Sequence, residues 1–278
     1  MARGRSNRRI VTRIDGQGPS RTVRRAPDDV IVEEPMSIQL DGALVATTMR
    51  TPGHDYELAA GFCLTDGMLG GAPIVGVRYC ADGGAVDSEF NVVTVETGGR
   101  APTPTPRLGN VGSSCGLCGS EQLDALTDRL DPLPNHPTPA DLDLDIDVLS
   151  GIPDVVGRQQ ELFVATGGVH AAAAFDRAGT VLMVREDVGR HNAVDKVVGA
   201  MLLGQEHDLP ATGLGLFVSG RASIEMVQKA WAAGFTTLLA ISAPTALAVD
   251  AARRANLLLA GFVRPGGFNV YSPERLVT

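Results

Sequence analysis

The sequence predicts an α/β fold: a layered sheet with packed helices, plus a smaller β-rich N-terminal part. Three observations carry that prediction. Of 278 residues 44% are hydrophobic but only 4% aromatic, so a core of Val, Leu, Ala and Ile fills a chain long enough for one large or two modest domains. Thirty-three Gly and 17 Pro punctuate it with turns. The last third alternates apolar runs (Leu214 to Val218, Thr236 to Ile241, Leu257 to Val263) with helical patterns (Ser223 to Ala233, Thr245 to Ala255). That is βαβαβ. Continuous apolar strands suit a parallel sheet covered on both faces, and right-handed crossovers make these three neighbours.

The other elements follow from the N terminus. The first 25 residues hold eight Arg and only Asp15, a local charge of +7, and read as a disordered basic arm over residues 1–25. Residues 26–112 read as a β-rich subdomain and loop. In it, Val30 to Val32, Met36 to Leu40 and Ala43 to Met49 are short strands around the turn Asp41-Gly42. Leu58, Ala59, Phe62 and Cys63 recur at helical spacing between Gly53 and Gly67. Val75 to Tyr79 and Phe90 to Val95 are further strands, and Thr97 to Gly112 is a Gly/Pro-rich loop.

Residues 113–278 read as the α/β domain, beginning with that loop's delivery of Cys115. A short helix over Gln122 to Leu130 precedes a Pro-rich acidic connector, Asp131 to Asp147. Its alternating Asp141, Asp143, Asp145 and Asp147 mimic a calcium loop, but Ile146 and Ile152 stand where Gly and a bidentate Glu are needed. Ala171 to Phe175 and Val181 to Val184 form a hairpin, and a helix runs from about Asn192 to Leu203.

Charge and composition bound the function. Outside the first 25 residues, 16 cationic residues face 31 carboxylates, a balance of −15 that argues against electrostatic nucleic-acid binding. Arg8-Arg9 lacks the apolar stretch of an export signal, and Pro244 interrupts the longest uncharged window, Ala230 to Val249, so a cytoplasmic chain with no membrane span is expected. Four Cys are too few for a disulfide-stapled secreted domain.

The sharpest chemical feature is Ser113-Ser114-Cys115-Gly116-Leu117-Cys118-Gly119. As zinc ligands the pair lacks partners, since no second CxxC exists and Cys63 and Cys80 are poorly spaced. As a thioredoxin-like couple it lacks a preceding strand. As packed cysteines the two thiols lack apolar neighbours among three Gly and two Ser. A fourth reading uses nucleophile and loop together: a cysteine carrying sulfur as a persulfide on a swinging tether, with Cys118 assisting its release.

The second feature is the run Arg185 to Lys196, with seven ionisable residues in twelve positions where strand gives way to helix. A salt-bridged surface cap is one reading. The other is an anion site, because Arg190 and His191 add cations to a helix N-terminus, and Ser219-Gly220-Arg221 repeats the device before the next helix. Ligands of open α/β sheets bind beyond strand carboxyl ends, which puts these residues, Ser242 and the Phe262 to Gly267 turn along one rim. Two phosphate-type sites there suggest a large, multiply phosphorylated ligand. His170 reads as a core histidine, and His54 with Asp55 as a helix cap.

Together the stretches EEPMSIQLDG, TPGHDYELAAGF, SSCGLCG, TGGVHAAAAF, REDVGRHNAVDKVVG, SGRASIEMVQKA, SAPTALAV and FVRPGGFNVYS resemble the formate dehydrogenase accessory sulfurtransferase family, FdhD/NarQ, from Glu33 to Ser272. The resemblance implies a cytidine-deaminase-like layered sheet and a sulfurtransferase. Sulfur would pass from a cysteine desulfurase to the molybdenum bis(molybdopterin guanine dinucleotide) cofactor, held as acceptor, for the formate dehydrogenase apoprotein. It further implies Cys115 as persulfide bearer, Cys118 as companion, cofactor contacts from Phe262, Val263, Arg264, Pro265, Gly266 and Gly267, and a homodimer. Arg190, His191, Arg221 and Arg264 are the expected phosphate contacts. Two rivals stand beside it: a non-catalytic cofactor chaperone, and a zinc-dependent deaminase-like hydrolase. The second lacks the H-x-E proton shuttle, since Tyr56, Ala172 and Ala193 follow two positions after His54, His170 and His191, and no metal is expected.

Overall fold

Asp41 and Gly42, both at positive φ, close the hairpin expected at that turn: β3 (Glu34–Leu40) and β4 (Ala43–Arg50) run antiparallel. The computed structural model describes residues 4–79, 89–104, 119–134, 146–204 and 209–273. β5 (Gly76–Tyr79) and β6 (Val92–Glu96) complete a four-stranded sheet ordered β4-β3-β6-β5, with β3 and β6 parallel. Alternate residues Met36, Ile38 and Leu40 face the core, where α1 (Asp55–Thr65) covers them with Leu58, Ala59, Phe62 and Cys63.

The larger sheet has six strands: β7 (His170–Phe175), β8 (Val181–Asp187), β9 (Gly215–Val218), β10 (Thr237–Ala240), β11 (Leu258–Arg264) and β12 (Gly267–Ser272). They are ordered β12-β11-β10-β9-β7-β8. β9, β10 and β11 are parallel neighbours, as expected from their apolar runs. Period-two alternation divides their side chains between two cores. Ala172, Ala174, Leu216, Val218, Leu238 and Leu259 meet α5 (Arg190–Leu202), α6 (Ile224–Ala233) and α7 (Ala246–Arg254). Ala171, Ala173, Phe217, Leu239, Leu258 and Val263 meet α3 (Ile146–Gly157) on the other face. Two further helices, α2 (Gly119–Arg129) and α4 (Glu161–Thr166), complete the mixed α/β architecture among the described residues. None of the described helices is long and apolar enough to cross a membrane.

The structure corrects the reading of the N-terminal arm. Residues expected to be disordered form a long antiparallel ribbon, β1 (Ser6–Asp15) with β2 (Thr22–Ile31), which also crosses the boundary drawn at residue 25. Counting charge over residues 1–25 missed Asp28 and Asp29, which lie opposite the basic strand: Arg8 pairs with Asp29 and Arg13 with Asp28, while Arg24 reaches Asp15. Cross-strand opposite charges stabilise a ribbon that net charge alone reads as repulsive. β12 has no counterpart in the sequence reading, whose Phe262 to Gly267 turn ends where the strand begins. The helices α3 and α4 went unread because Gly151, Pro153 and Gly157 break up the α3 pattern. Most of the acidic connector lies outside the described residues.

The two sheets are joined by a close helix crossing. A Cβ on Gly61 of α1 would lie 1.9 Å from the Asp195 carbonyl oxygen, and one on Gly199 of α5 would lie 1.8 Å from the Glu57 carbonyl oxygen. Only two glycines allow the backbones this near. Beside the crossing, Lys196 Nζ sits 2.7 Å from Asp187 Oδ2 with both side chains wholly buried, and Lys196 also donates to the Thr51 carbonyl oxygen (3.0 Å).

The crossing generates a paired prediction. Gly199→Ala gains about 1 kcal/mol of helix propensity, yet overpacking against backbone exceeds it, for a net loss of about 2 kcal/mol or more. Gly151→Ala, with open space around its Cβ in α3, gains propensity alone, about 0.5–1 kcal/mol. Urea melts of the two variants should move to opposite sides of the parent midpoint; a stabilised Gly199→Ala would contradict the crossing.

Candidate functional site

The carboxyl ends of the parallel strands form a stepped rim. Ser219 N–H donates to the Ala171 carbonyl oxygen, Ser242 N–H to that of Gly220, and Phe262 N–H to that of Ser242, so the strand exits of β9, β10 and β11 line up in order. β8 ends at the same level, since His170 of β7 pairs with Asp187. The sequence-predicted rim is thus present.

α5 opens on this rim at Gly189 with no capping side chain, which leaves its first-turn amides open. Arg190 and His191 are its first two residues. Arg190 Nε and His191 Nε2 are buried atoms without a hydrogen-bond partner. Burial, aided by Lys229 and Arg190, pushes the His191 imidazole down to about 4, so it is neutral at physiological pH. A cleft of about 240 Å³ lies beside it, bounded by Glu33, Thr48, Gly189, His191 and Asn192.

Arg221 is exposed, but α6 begins only at Ile224, so Arg221 stands two residues before the Ser223 cap rather than at the helix start. At the far end of the rim, a register shift between Gly261 and Arg264 bulges β11 and holds Phe262 at φ +54°, turned outward. Arg264 is exposed and donates to the Phe262 carbonyl oxygen (3.1 Å), while Pro265 and Gly266 form the exposed turn into Gly267 of β12. Val263 points into the core and offers a ligand no side chain. No carboxylate among the described residues forms a salt bridge with Arg190, Arg221 or Arg264, although Glu225 in the first turn of α6 interacts electrostatically with both Arg190 and His191.

His170 departs from the core role expected for it. It is half-buried on the rim, with Nδ1 3.5 Å from Ser219 Oγ. Ser219 Oγ accepts the Ala171 N–H, so its own proton is free for the imidazole. A Cβ on Gly220 would lie 3.7 Å from both His170 Nδ1 and Arg190 Cδ, so the two side chains converge over that glycine. Burial and the nearby Arg190 lower the pKa of His170. The sequence signal was the shared rim position of His170 and Ser219, legible only once β7 is placed antiparallel to β9.

The run Arg185 to Lys196 divides its labour. Arg185 makes a double hydrogen bond to Glu57 (2.6 and 3.0 Å), and Glu186 accepts the Leu162 and Phe163 amides at the start of α4. Asp187 accepts from Thr51 N, Gly189 N and Asn192 Nδ2 and pairs with Lys196. Asn192 also donates to the Met49 carbonyl oxygen. Asp195 pairs with Lys229 (2.8 Å) and accepts from Thr65. Neither reading made from the sequence is complete: most of these charges are buried fasteners between the sheets, and within the run only Arg190 and His191 keep a buried side-chain nitrogen without a partner. His54 starts α1 in a left-handed conformation without capping it, and Asp55 instead grips buried Arg50 through both oxygens.

Cys115 and Cys118 lie outside the described residues, as does Cys80. Cys63 is buried in the N-terminal core, where burial pushes its thiol up to about 12; it supplies no thiolate.

The profile of the FdhD/NarQ family matches residues 31–277. A curated relative from Streptomyces avermitilis, named sulfur carrier protein FdhD, is 42% identical over 283 residues, covering 100% of this chain and 97% of the relative. One of the same name from Nocardia farcinica is 46% identical over 272 residues, covering 95% and 92%. Among solved structures, a protein from Desulfotalea psychrophila assigned as a formate dehydrogenase accessory protein superposes with a TM-score of 0.71 at 21% identity, covering 99% of this chain and 100% of that one; this likeness concerns the fold. On the extent of the profile match and the identity of these relatives, the chain belongs to the FdhD/NarQ family.

Proposed function

We propose that this chain is a sulfur carrier for formate dehydrogenase maturation. Cys115 takes sulfur from a cysteine desulfurase and delivers it to the molybdenum bis(molybdopterin guanine dinucleotide) cofactor, bound as substrate on the rim. The observation that carries the reading is the set Arg190, Arg221 and Arg264, none of them in a salt bridge among the described residues, on the rim of a protein whose curated relatives are named sulfur carriers.

In the loading step the Cys115 thiolate attacks the terminal sulfur of the donor's persulfide. The donor S–S bond breaks, its thiolate leaves, and Cys115 holds the new S–SH with no external oxidant. In release, Cys118 thiolate attacks the inner sulfur, forms a Cys115–Cys118 disulfide and frees hydrosulfide; a cellular thiol then reduces the disulfide. At the rim, the arginines and the open α5 amides hold the cofactor's phosphates, which fixes the acceptor where the loop delivers. Neutral His170 and His191 add N–H donors without adding charge.

Two experiments test this. After incubation with desulfurase and cysteine, mass spectrometry of the Cys115 peptide should show an adduct of about 32 Da, one sulfur on the persulfide rung. Cys115→Ala should abolish protein-bound sulfur, and an unchanged sulfur load would refute the assignment. For the rim, the probe is guanosine diphosphate. A phosphate near His191 favours imidazolium, so the NMR titration midpoint of that ring should rise from about 4 by one unit or more on saturation. A midpoint that stays fixed would remove His191 from the phosphate site.

A further inference from the structure

Gly220, on the rim just after β9, is explained by neither backbone conformation nor packing. Its φ lies outside the left-handed region, so the chain there suits any L residue. A Cβ on Gly61 or Gly199 would strike backbone at 1.9 or 1.8 Å, whereas one on Gly220 would first meet other atoms at 3.7 Å, an ordinary van der Waals distance. Those atoms are His170 Nδ1 and Arg190 Cδ. The absent side chain keeps open the space between a histidine and an arginine, and close approach of a ligand to the backbone is a recurrent reason for glycine at such a place.

Both walls of that space carry hydrogen-bond donors. Arg190 Nε, one bond from the Cδ that faces Gly220, is buried and has no partner. A buried guanidinium N–H without an acceptor is costly, and an incoming anion relieves it. On the other wall, Ser219 sets the protonation pattern of half-buried His170. Ser219 Oγ accepts the Ala171 N–H at 2.9 Å, and the one acceptor for its own proton among the described residues is His170 Nδ1, at 3.5 Å. With Nδ1 accepting, the neutral ring carries its proton on Nε2 and acts as a donor. Two acids act on these walls: Glu225 interacts electrostatically with Arg190, and Asp187 with His170. Asp187 is spent on Lys196, and neither acid forms a salt bridge to the walls among the described residues. Such a donor set suits one anionic group with at least two acceptor oxygens.

We propose that Gly220 is the floor of a subsite for one phosphate group, walled by Arg190 and His170, and that Ser219 is a positioning residue that makes His170 a donor toward it. The choice of phosphate rests on the proposed function, in which the rim holds a phosphorylated ligand. To that reading the subsite adds a steric requirement: the residue after Ser219 must lack a side chain. A methyl group at position 220 makes only ordinary contacts in the free protein and competes with the ligand alone.

The test titrates full-length variants with guanosine diphosphate and, separately, with pyrophosphate, by calorimetry, while circular dichroism follows folding. Gly220→Ala should melt within about 3 °C of the parent, since no large destabilising mechanism operates there, yet bind both probes about tenfold or more weakly. Gly151→Ala in α3, on the opposite face of the sheet, should stay within about twofold. His170→Ala, which removes one wall, should lose about fivefold or more. Long-range nitrogen NMR of the parent at neutral pH should place the His170 proton on Nε2 alone. Ser219→Ala should give mixed tautomers and binding weaker by about threefold or more, and Ser219→Thr, which keeps the hydroxyl, should restore both. Parent-like affinity in folded Gly220→Ala or His170→Ala would overturn the subsite and leave the rim reading standing. Weakening for guanosine diphosphate alone would put the base, not a phosphate, over Gly220 and overturn the assignment. A parent ring protonated on Nδ1 would remove the role of Ser219. If neither probe bound the parent chain, the rim reading would fall and the subsite with it.

Discussion

The molecule turns on a buried pair, Asp187 with Lys196, at the point where β8 becomes α5. Removing both charges from water is expensive, and their attraction offsets this only because every remaining valence is filled. Thr51 N, Gly189 N and Asn192 Nδ2 satisfy the carboxylate, and the Thr51 and Glu186 carbonyl oxygens satisfy the ammonium. Two of these five partners belong to Thr51, between β4 and α1, so the pair locks those elements to the larger sheet. It also fixes the direction in which α5 starts, and therefore where its open amides, Arg190 and His191 lie. A lone partner left in that site would cost about 3–5 kcal/mol, comparable to much of a domain's net stability.

The same layout explains how an acidic protein can present an anion-binding rim. The balance of −15 beyond the first 25 residues is spread over the surface and screened within about 8 Å at physiological ionic strength. At the rim the local field is set by Arg190, Arg221 and Arg264, which Glu225 offsets only in part. Asp195 illustrates the opposite situation: burial raises its pKa to about 6 even beside Lys229. Because its folded pKa lies above the unfolded value, this group stabilises the fold most below about pH 4, and that contribution fades as pH rises through about 6. His191, with a depressed pKa, works the other way, losing stability as pH falls from about 6.5 toward 4.

Much of this was legible in the sequence. The apolar runs of β9, β10 and β11 announced a parallel sheet, and the parallel sheet announced the rim that holds Arg221, Ser242 and Phe262. Local patterns could not announce partners distant in sequence. Arg185 with Glu57, Asp195 with Lys229, and the Gly61–Gly199 crossing join residues far apart along the chain, so a run of charges looked like either a surface cap or a ligand site when most of it was internal fastening. The basic ribbon was hidden for the same reason, because its neutralising aspartates stand on the opposite strand. His170 was misread because an alanine-rich strand suggests a core, whereas it is the first residue of that strand and sits at the rim.

If the rim holds the acceptor while the loop carries the sulfur, loading and delivery must separate when the rim alone is damaged. The direct measurement is a chase of radiolabelled sulfur in Arg190→Ala/Arg221→Ala: desulfurase should load it as fully as the parent chain, while transfer of label to the molybdenum cofactor falls by a hundredfold or more. Delivery at the parent rate from that double variant would contradict the account.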